Sequence, residues 1–131
     1  MKQTTIVGID YSLTSPCVCV NDGKKIMFYY MTKKKKHLGK IADNIIGEEH
    51  HEYNTPIERF TNISTWVMSK LPKSLKVYIE GYSFGSKGQA IFQIAENCGI
   101  LEYRLQEANI PYETIVPSVV KKGATGKGNA D

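Results

Sequence analysis

Two helix-like periodicities, each followed closely by a strand-like run, restrict this chain more than anything else in it. The first starts at Thr55-Pro56-Ile57-Glu58, a capping box with proline at the first helical position. It repeats Ile57, Phe60, Ile63, Val67 and Leu71 until Pro72 stops it, and a β-branched run follows at 77–80. The second starts at another capping box, Ser86-Lys87-Gly88-Gln89, and carries Ile91, Ile94, Ala95, Cys98, Leu101 and Leu105 on one face. Asn109 and Pro111 close it, and a strand run follows at 112–116. Upstream, 5–10, 16–20 and 25–31 read as three strands. Asn21-Asp22-Gly23 turns the second into the third, because Asp-Gly tolerates positive φ. The order β-β-β-α-β-α-β predicts an α/β fold: a mixed five-stranded sheet, its first three strands antiparallel, flanked by helices. At 131 residues, 1–131 is one domain, large enough to bury a core without staples.

Two of the predicted strands end in an acid. Asp10 closes Thr5-Ile6-Val7-Gly8-Ile9-Asp10, and Glu80 closes Lys76-Val77-Tyr78-Ile79-Glu80. A carboxylate behind an apolar run is costly unless something positive pairs with it. If the two strands are neighbours, both carboxylates reach one edge of the sheet and can share a divalent metal. That chemistry points to metal-assisted hydrolysis of phosphodiesters, and so to a nuclease. Taken singly, Asp10 reads as a turn cap and Glu80 as an edge salt bridge.

Net charge is only +4, but the positive charge is clustered: Lys33, Lys34, Lys35 and Lys36 are consecutive, and Lys121, Lys122 and Lys127 lie close together. Such patches suit a polyanionic partner, although solvated loops also explain them. Cys17, Cys19 and Cys98 lack the spacing of a disulfide framework, which points to reduced thiols and a cytoplasmic setting. Cys17 and Cys19 are two apart and share a strand face, where core packing accounts for them. No apolar stretch is long enough to span a bilayer, so no membrane partner is expected. From 32 to 54 the pattern dissolves into lysines, histidines and acids, and a long loop with at most one helical turn is expected. Glu48, Glu49, His50, His51 and Glu52 lack the i, i+4 spacing of a zinc helix and read as solvated loop.

The order of elements, with Asp10 on the first strand and Glu80 ending the fourth, resembles the ribonuclease H-like superfamily, and within it the RuvC-type Holliday junction resolvases of the kind carried by phages. The pieces that carry the likeness are Ile6-Val7-Gly8-Ile9-Asp10-Tyr11-Ser12-Leu13-Thr14, Ile79-Glu80, Val120-Lys121 and Gly126-Lys127-Gly128-Asn129-Ala130-Asp131. The resemblance implies an endonuclease that cuts four-way or other branched DNA as a homodimer. Asp10 and Glu80 would bind Mg²⁺, with Mn²⁺ able to substitute. Lys121 would act electrostatically beside the scissile phosphate, so Asp10, Glu80 and Lys121 form the implied catalytic set. Lys122, Lys127, Lys87 and Lys33 to Lys36 would contact DNA. Phe84, or else Tyr82, would stack on a base at the opened junction. Small Ala95 and Gly99 on the second helix mark a dimer surface, although packing on the sheet explains them as well. The family continues past this point with a helix bearing further aspartates. The chain as written is therefore expected to lack that helix and to show little nuclease activity alone, with the bacterial host cytoplasm its setting if phage-encoded. Two other readings stay open: a ribonuclease H-like enzyme cutting RNA–DNA hybrids or forks, and a non-catalytic relative that binds branched DNA. Asp10-Tyr11-Ser12-Leu13-Thr14 partly resembles the phosphate loop of actin-like ATPases, but 131 residues cannot supply their second domain.

Overall fold

In the computed structural model, residues 4–73, 75–80 and 89–115 are described, those at 89 and 90 by backbone alone. Among them, seven strands form a single mixed sheet: β1 (Thr5–Asp10), β2 (Cys17–Asn21), β3 (Ile26–Thr32), β4 (Gly39–Ala42), β5 (Ile45–Glu49), β6 (Leu75–Glu80) and β7 (Tyr112–Ile115). The order across the sheet is β4-β5-β3-β2-β1-β6-β7. β1, β2 and β3 are antiparallel neighbours, whereas β6 and β7 run parallel to β1, and β5 parallel to β3. Helix α1 (Pro56–Lys70) crosses over between β5 and β6, and helix α2 (Gln89–Glu107) between β6 and β7. The ends of β1, β3, β5, β6 and β7 therefore all lie at one edge, which places Asp10, Thr32, Glu49 and Glu80 along it.

The predicted hairpin forms as the sequence dictates. Gly23 takes φ +91°, and the Asp22 carboxylate accepts hydrogen bonds from the Lys24 and Lys25 amides at 2.8 Å, which lower its pKa. The capping box also forms: Thr55 Oγ1 accepts from the Glu58 amide at 3.1 Å, and Glu58 reaches back to the Asn54 amide at 3.2 Å. At the far end of α2, Asn109 takes φ +57°, the left-handed cap that asparagine tolerates, and the Ile110 amide donates to the Leu105 carbonyl at 2.9 Å.

Both helices cover one face of the sheet. Val7 and Ile9 of β1, Val18 of β2, Met31 of β3 and Val77 and Ile79 of β6 meet Ile63, Trp66 and Val67 of α1 and Leu101 and Leu105 of α2. Full burial of such side chains stabilises by about 1.5–3 kcal/mol each, so this layer holds the fold. Ile57, expected in the apolar stripe of α1, is instead exposed. It stands in the first turn of α1, and the buried stripe begins at Phe60 and runs through Ile63, Trp66 and Val67.

The largest departure from expectation is the 32–54 segment. In place of a long loop it holds a 3₁₀ turn (Lys35–His37) and the edge strands β4 and β5. The sheet therefore has seven strands, not five. Gly39, Gly47 and the acids weaken the apolar alternation that marks a strand, and tertiary contacts override the local pattern. β5 is pinned from the helix side: Glu48 accepts from Trp66 Nε1 at 2.9 Å and pairs with Lys70 Nζ at 2.7 Å. Glu48 is thus part of the packing layer and not a solvated loop acid. His50 Nε2 likewise lies 2.7 Å from the Thr14 carbonyl; a carbonyl can only accept, so this nitrogen carries the proton.

Candidate metal centre and nucleic-acid interface

The face opposite the helices carries the two strand-ending acids. β1 and β6 pair in parallel with Asp10 directly beside Glu80, one inter-strand spacing of about 4.8 Å apart along the ladder. Residues in register on neighbouring strands share a face, and the pairing continues without a break across the whole sheet. Ile115 pairs with Glu80, Glu80 with Asp10, Asp10 with Cys17, Cys17 with Tyr30, Tyr30 with Gly47, and Gly47 with Gly39. One transverse row therefore joins the acid pair to the lysine-rich turn beyond β3.

Asp10 and Glu80 line one cavity of about 280 Å³ with Cys17, Cys19, Tyr78 and Ile115. Asp10 is exposed and Glu80 half-buried. Like charges set side by side on adjacent strands work against the sheet, so the arrangement is costly for folding and suited to a cation. Cys17 and Cys19 do share a face, as their spacing predicts, but it is this open face and not the core; Val18 between them is the buried residue. Burial, the Asp10 carboxylate and Cys19 together push the Cys17 thiol above its ordinary pKa. The raised thiol pKa disfavours a thiolate ligand there, and the oxygen atoms of Asp10 and Glu80 are the donor type that suits a hard divalent cation such as Mg²⁺ or Mn²⁺. Among the described residues no group of three or more His, Cys, Asp or Glu side chains is placed to hold a metal, and Asp10 and Glu80 are the two acids that line this cavity.

The loop after Asp10 is tied down from α1 and from the segment before it. Arg59 Nη2 donates to the Leu13 carbonyl at 3.1 Å, and the guanidinium stacks 5.3 Å over the Tyr53 ring. His50 holds the next carbonyl, that of Thr14. Burial lowers the pKa of His50, with Lys33, Arg59 and His51 adding to the effect. Sequence reasoning missed these anchors because they join residues more than thirty positions apart, and no local pattern announces such a bond. Tyr11, next after Asp10, is buried with its hydroxyl unpartnered, and burial first, then Cys98, raises its pKa.

Lys33, Lys34, Lys35 and Lys36 are exposed at the same sheet edge as the acids, two strands away. Tyr82, Phe84, Lys87, Lys121, Lys122 and Lys127 lie outside the described residues.

No protein-family model and no curated protein matches the sequence. Solved structures do. The Thermus thermophilus RuvC structure superposes with a TM-score of 0.62 at 17% identity over 98% of this chain and 73% of that one. The T. thermophilus RuvC in complex with Holliday junction substrate gives 0.65 at 15% identity over 95% of this chain and 73% of that one. The fold is ribonuclease H-like, as the resemblance implied, with seven strands among the described residues where five were expected.

Proposed function

We propose that this chain is the nuclease domain of a divalent-metal-dependent endonuclease acting on branched DNA, with four-way junctions as the substrate. The carrying observation is the in-register pair Asp10–Glu80 at the ends of two parallel strands, facing one cavity. The structural neighbour solved with a Holliday junction substrate supports the choice of DNA. Bound there, Mg²⁺ would supply a Lewis acid at the phosphodiester and a water acidified enough to attack it. Asp10 and Glu80 hold the cation, the Arg59 and His50 bonds fix the loop that follows Asp10, and Lys33 to Lys36 attract the phosphate backbone. Lys121 assists at the scissile phosphate, Lys87, Lys122 and Lys127 add backbone contacts, and Phe84 or Tyr82 stacks on an opened base. The working unit is a homodimer, since paired nicks on opposing strands suit two-fold symmetry. Phe92, Gly99 and Tyr103, exposed along one stripe of α2, form the surface that supports this reading.

The test is Mg²⁺-dependent cleavage of a synthetic four-way junction, run beside fork, duplex and RNA–DNA hybrid substrates. Asp10→Asn and Glu80→Gln should abolish cleavage and leave junction binding intact. Preference for the hybrid would replace the junction reading, and junction binding with no cleavage under any divalent metal by the full-length protein, the form in which activity is expected, would leave a binding protein.

A further inference from the structure

Where the transverse row crosses β3, Tyr30 lines a second cavity, of about 450 Å³, with Thr14, Ser15, Thr32, Lys33, Lys34 and His37. Among its described lining residues none is acidic. The neighbouring cavity on the far side of Lys33 differs, since Glu49 and Glu52 stand in its wall. We propose that the Thr14–Lys33–Lys34–His37 cavity is a preformed pocket for one backbone phosphate of the nucleic acid, set about 10 Å, or two inter-strand spacings, from Asp10. A single strand carries phosphates at intervals shorter than that distance, so one strand can reach both sites. The inference rests on the nucleic-acid reading above and adds to it a specific grip in place of a diffuse lysine field.

The pocket is built, not merely charged. The Met31 amide donates to the Pro16 carbonyl at 3.1 Å, which extends the β2–β3 ladder and sets Thr14 and Ser15 against the end of β3. Thr32 Oγ1 accepts from the Lys34 amide at 3.0 Å and fixes where the lysine turn begins. The Lys35–His37 turn is closed by the His37 amide on the Lys34 carbonyl at 2.9 Å, and Tyr30 Oη then donates to the His37 carbonyl. That last bond crosses directly over Gly47. A Cβ at Gly47 would collide with the His37 carbonyl and the Tyr30 ring, so only glycine lets the turn sit this close to the sheet. Held at both ends, the backbone of the turn is already ordered when a phosphate arrives, so only the lysine side chains remain to be fixed. Thr14 and Ser15 supply hydroxyl donors, and His37 a ring N–H.

Two measurements on the 131-residue chain test the pocket. Titration with inorganic phosphate, followed by amide NMR shifts, should move Thr14, Ser15, Lys33, Lys34 and His37 together. Binding of a labelled four-way junction in metal-free buffer should then be measured against salt. With two phosphate-facing cations lost, Lys33→Ala/Lys34→Ala should flatten the slope of log affinity against log salt by up to about 1.8. A fourfold rise in salt would then cost the variant about tenfold less affinity than it costs the wild type. Lys35→Ala/Lys36→Ala, outside the cavity lining, should change the slope by less than half as much. Tyr30→Phe, which keeps every charge and the ring, should lower affinity in the same direction; Gly47→Ala should do so more strongly if it folds. Equal effects from the two lysine pairs, or a wild-type response to Tyr30→Phe, would overturn the pocket while leaving the nuclease reading intact. Phosphate shifts at these residues without junction binding would sink the DNA reading and keep the pocket.

Discussion

The two faces of the sheet are made by alternate residues of the same strands, yet they serve opposite ends. On the helix side, Val7, Ile9, Val77 and Ile79 are at most 3% exposed, and the layer is dry. On the other, Gly8, Asp10, Tyr78 and Glu80 alternate with them, and Ile6 and Phe28 stand 42% and 36% exposed. Shifting β1 or β6 by one residue would exchange its faces and bury its acid. The register that fills the core is thus the same register that sets the carboxylates side by side. Stability and function here are one choice of pairing, and substitutions should separate them by face.

The sharpest contrast is expected at the acids themselves. Asp10→Asn should cost about 10³-fold or more in junction cleavage by an active form of the protein, the scale of losing a principal electrostatic stabiliser. It should leave the melting temperature unchanged or raised, because a like-charge neighbour has gone. Mg²⁺ at about 100-fold its dissociation constant should stabilise the wild type by about 2.7 kcal/mol and the variant not at all. A melting temperature of the wild type that ignores Mg²⁺ and Mn²⁺ would remove the metal site.

On the core face the balance reverses. Leu101→Ala should destabilise by about 2–5 kcal/mol in urea unfolding. Glu48→Ala, which strands the Trp66 N–H and Lys70 behind β5, should cost about 1–3 kcal/mol. Ile6→Thr, on the open face, should fall within about 0.5 kcal/mol. Comparable losses at Leu101 and Ile6 would mean that the open face is as tightly covered as the other.

Alkaline pH probes the buried side more gently. Burial raises the Cys98 thiol from its ordinary 9.0 to about 11, and raises Tyr11 further. Both groups are neutral when protonated, and their folded pKa values exceed the unfolded ones. Their contribution is therefore complete below about pH 9 and is lost as pH rises through the folded values. Cys98→Ser and Tyr11→Phe should each move the alkaline unfolding midpoint upward, most for the pair. At neutral pH Tyr11→Phe should be neutral or slightly stabilising, since the hydroxyl has no partner. Asn97, 1% exposed with both side-chain polar atoms unpartnered, should likewise tolerate leucine, the smallest effect in the series.

What could be read from the chain was what repeats locally. The capping box at Thr55, the Asp22-Gly23 turn, the apolar stripes of both helices and the acid-terminated strands are patterns of neighbours within about one or two turns. From these came the ribonuclease H-like arrangement and the suspicion about Asp10 and Glu80. Cys17 and Cys19 were placed on one face correctly, but a period of two cannot say which face is covered. β4 and β5 escaped because Gly39, Gly47 and the lysines erase the alternation, and the strands exist through pairing with β3 and the Trp66–Glu48–Lys70 contacts. The asparagine at 97 sits in the buried stripe of α2 and was hidden by its polarity.

Local sequence settled both helices, the β2–β3 turn and five of the seven described strands, because capping, turn chemistry and side-chain period act over a few residues. Folding in three dimensions decided that β6 pairs with β1 and β5 with β3, and so that one row runs from Glu80 through Asp10 to Tyr30 and Gly47. Register between distant strands is set by how side chains fill the shared core, and no single stretch of chain contains that information.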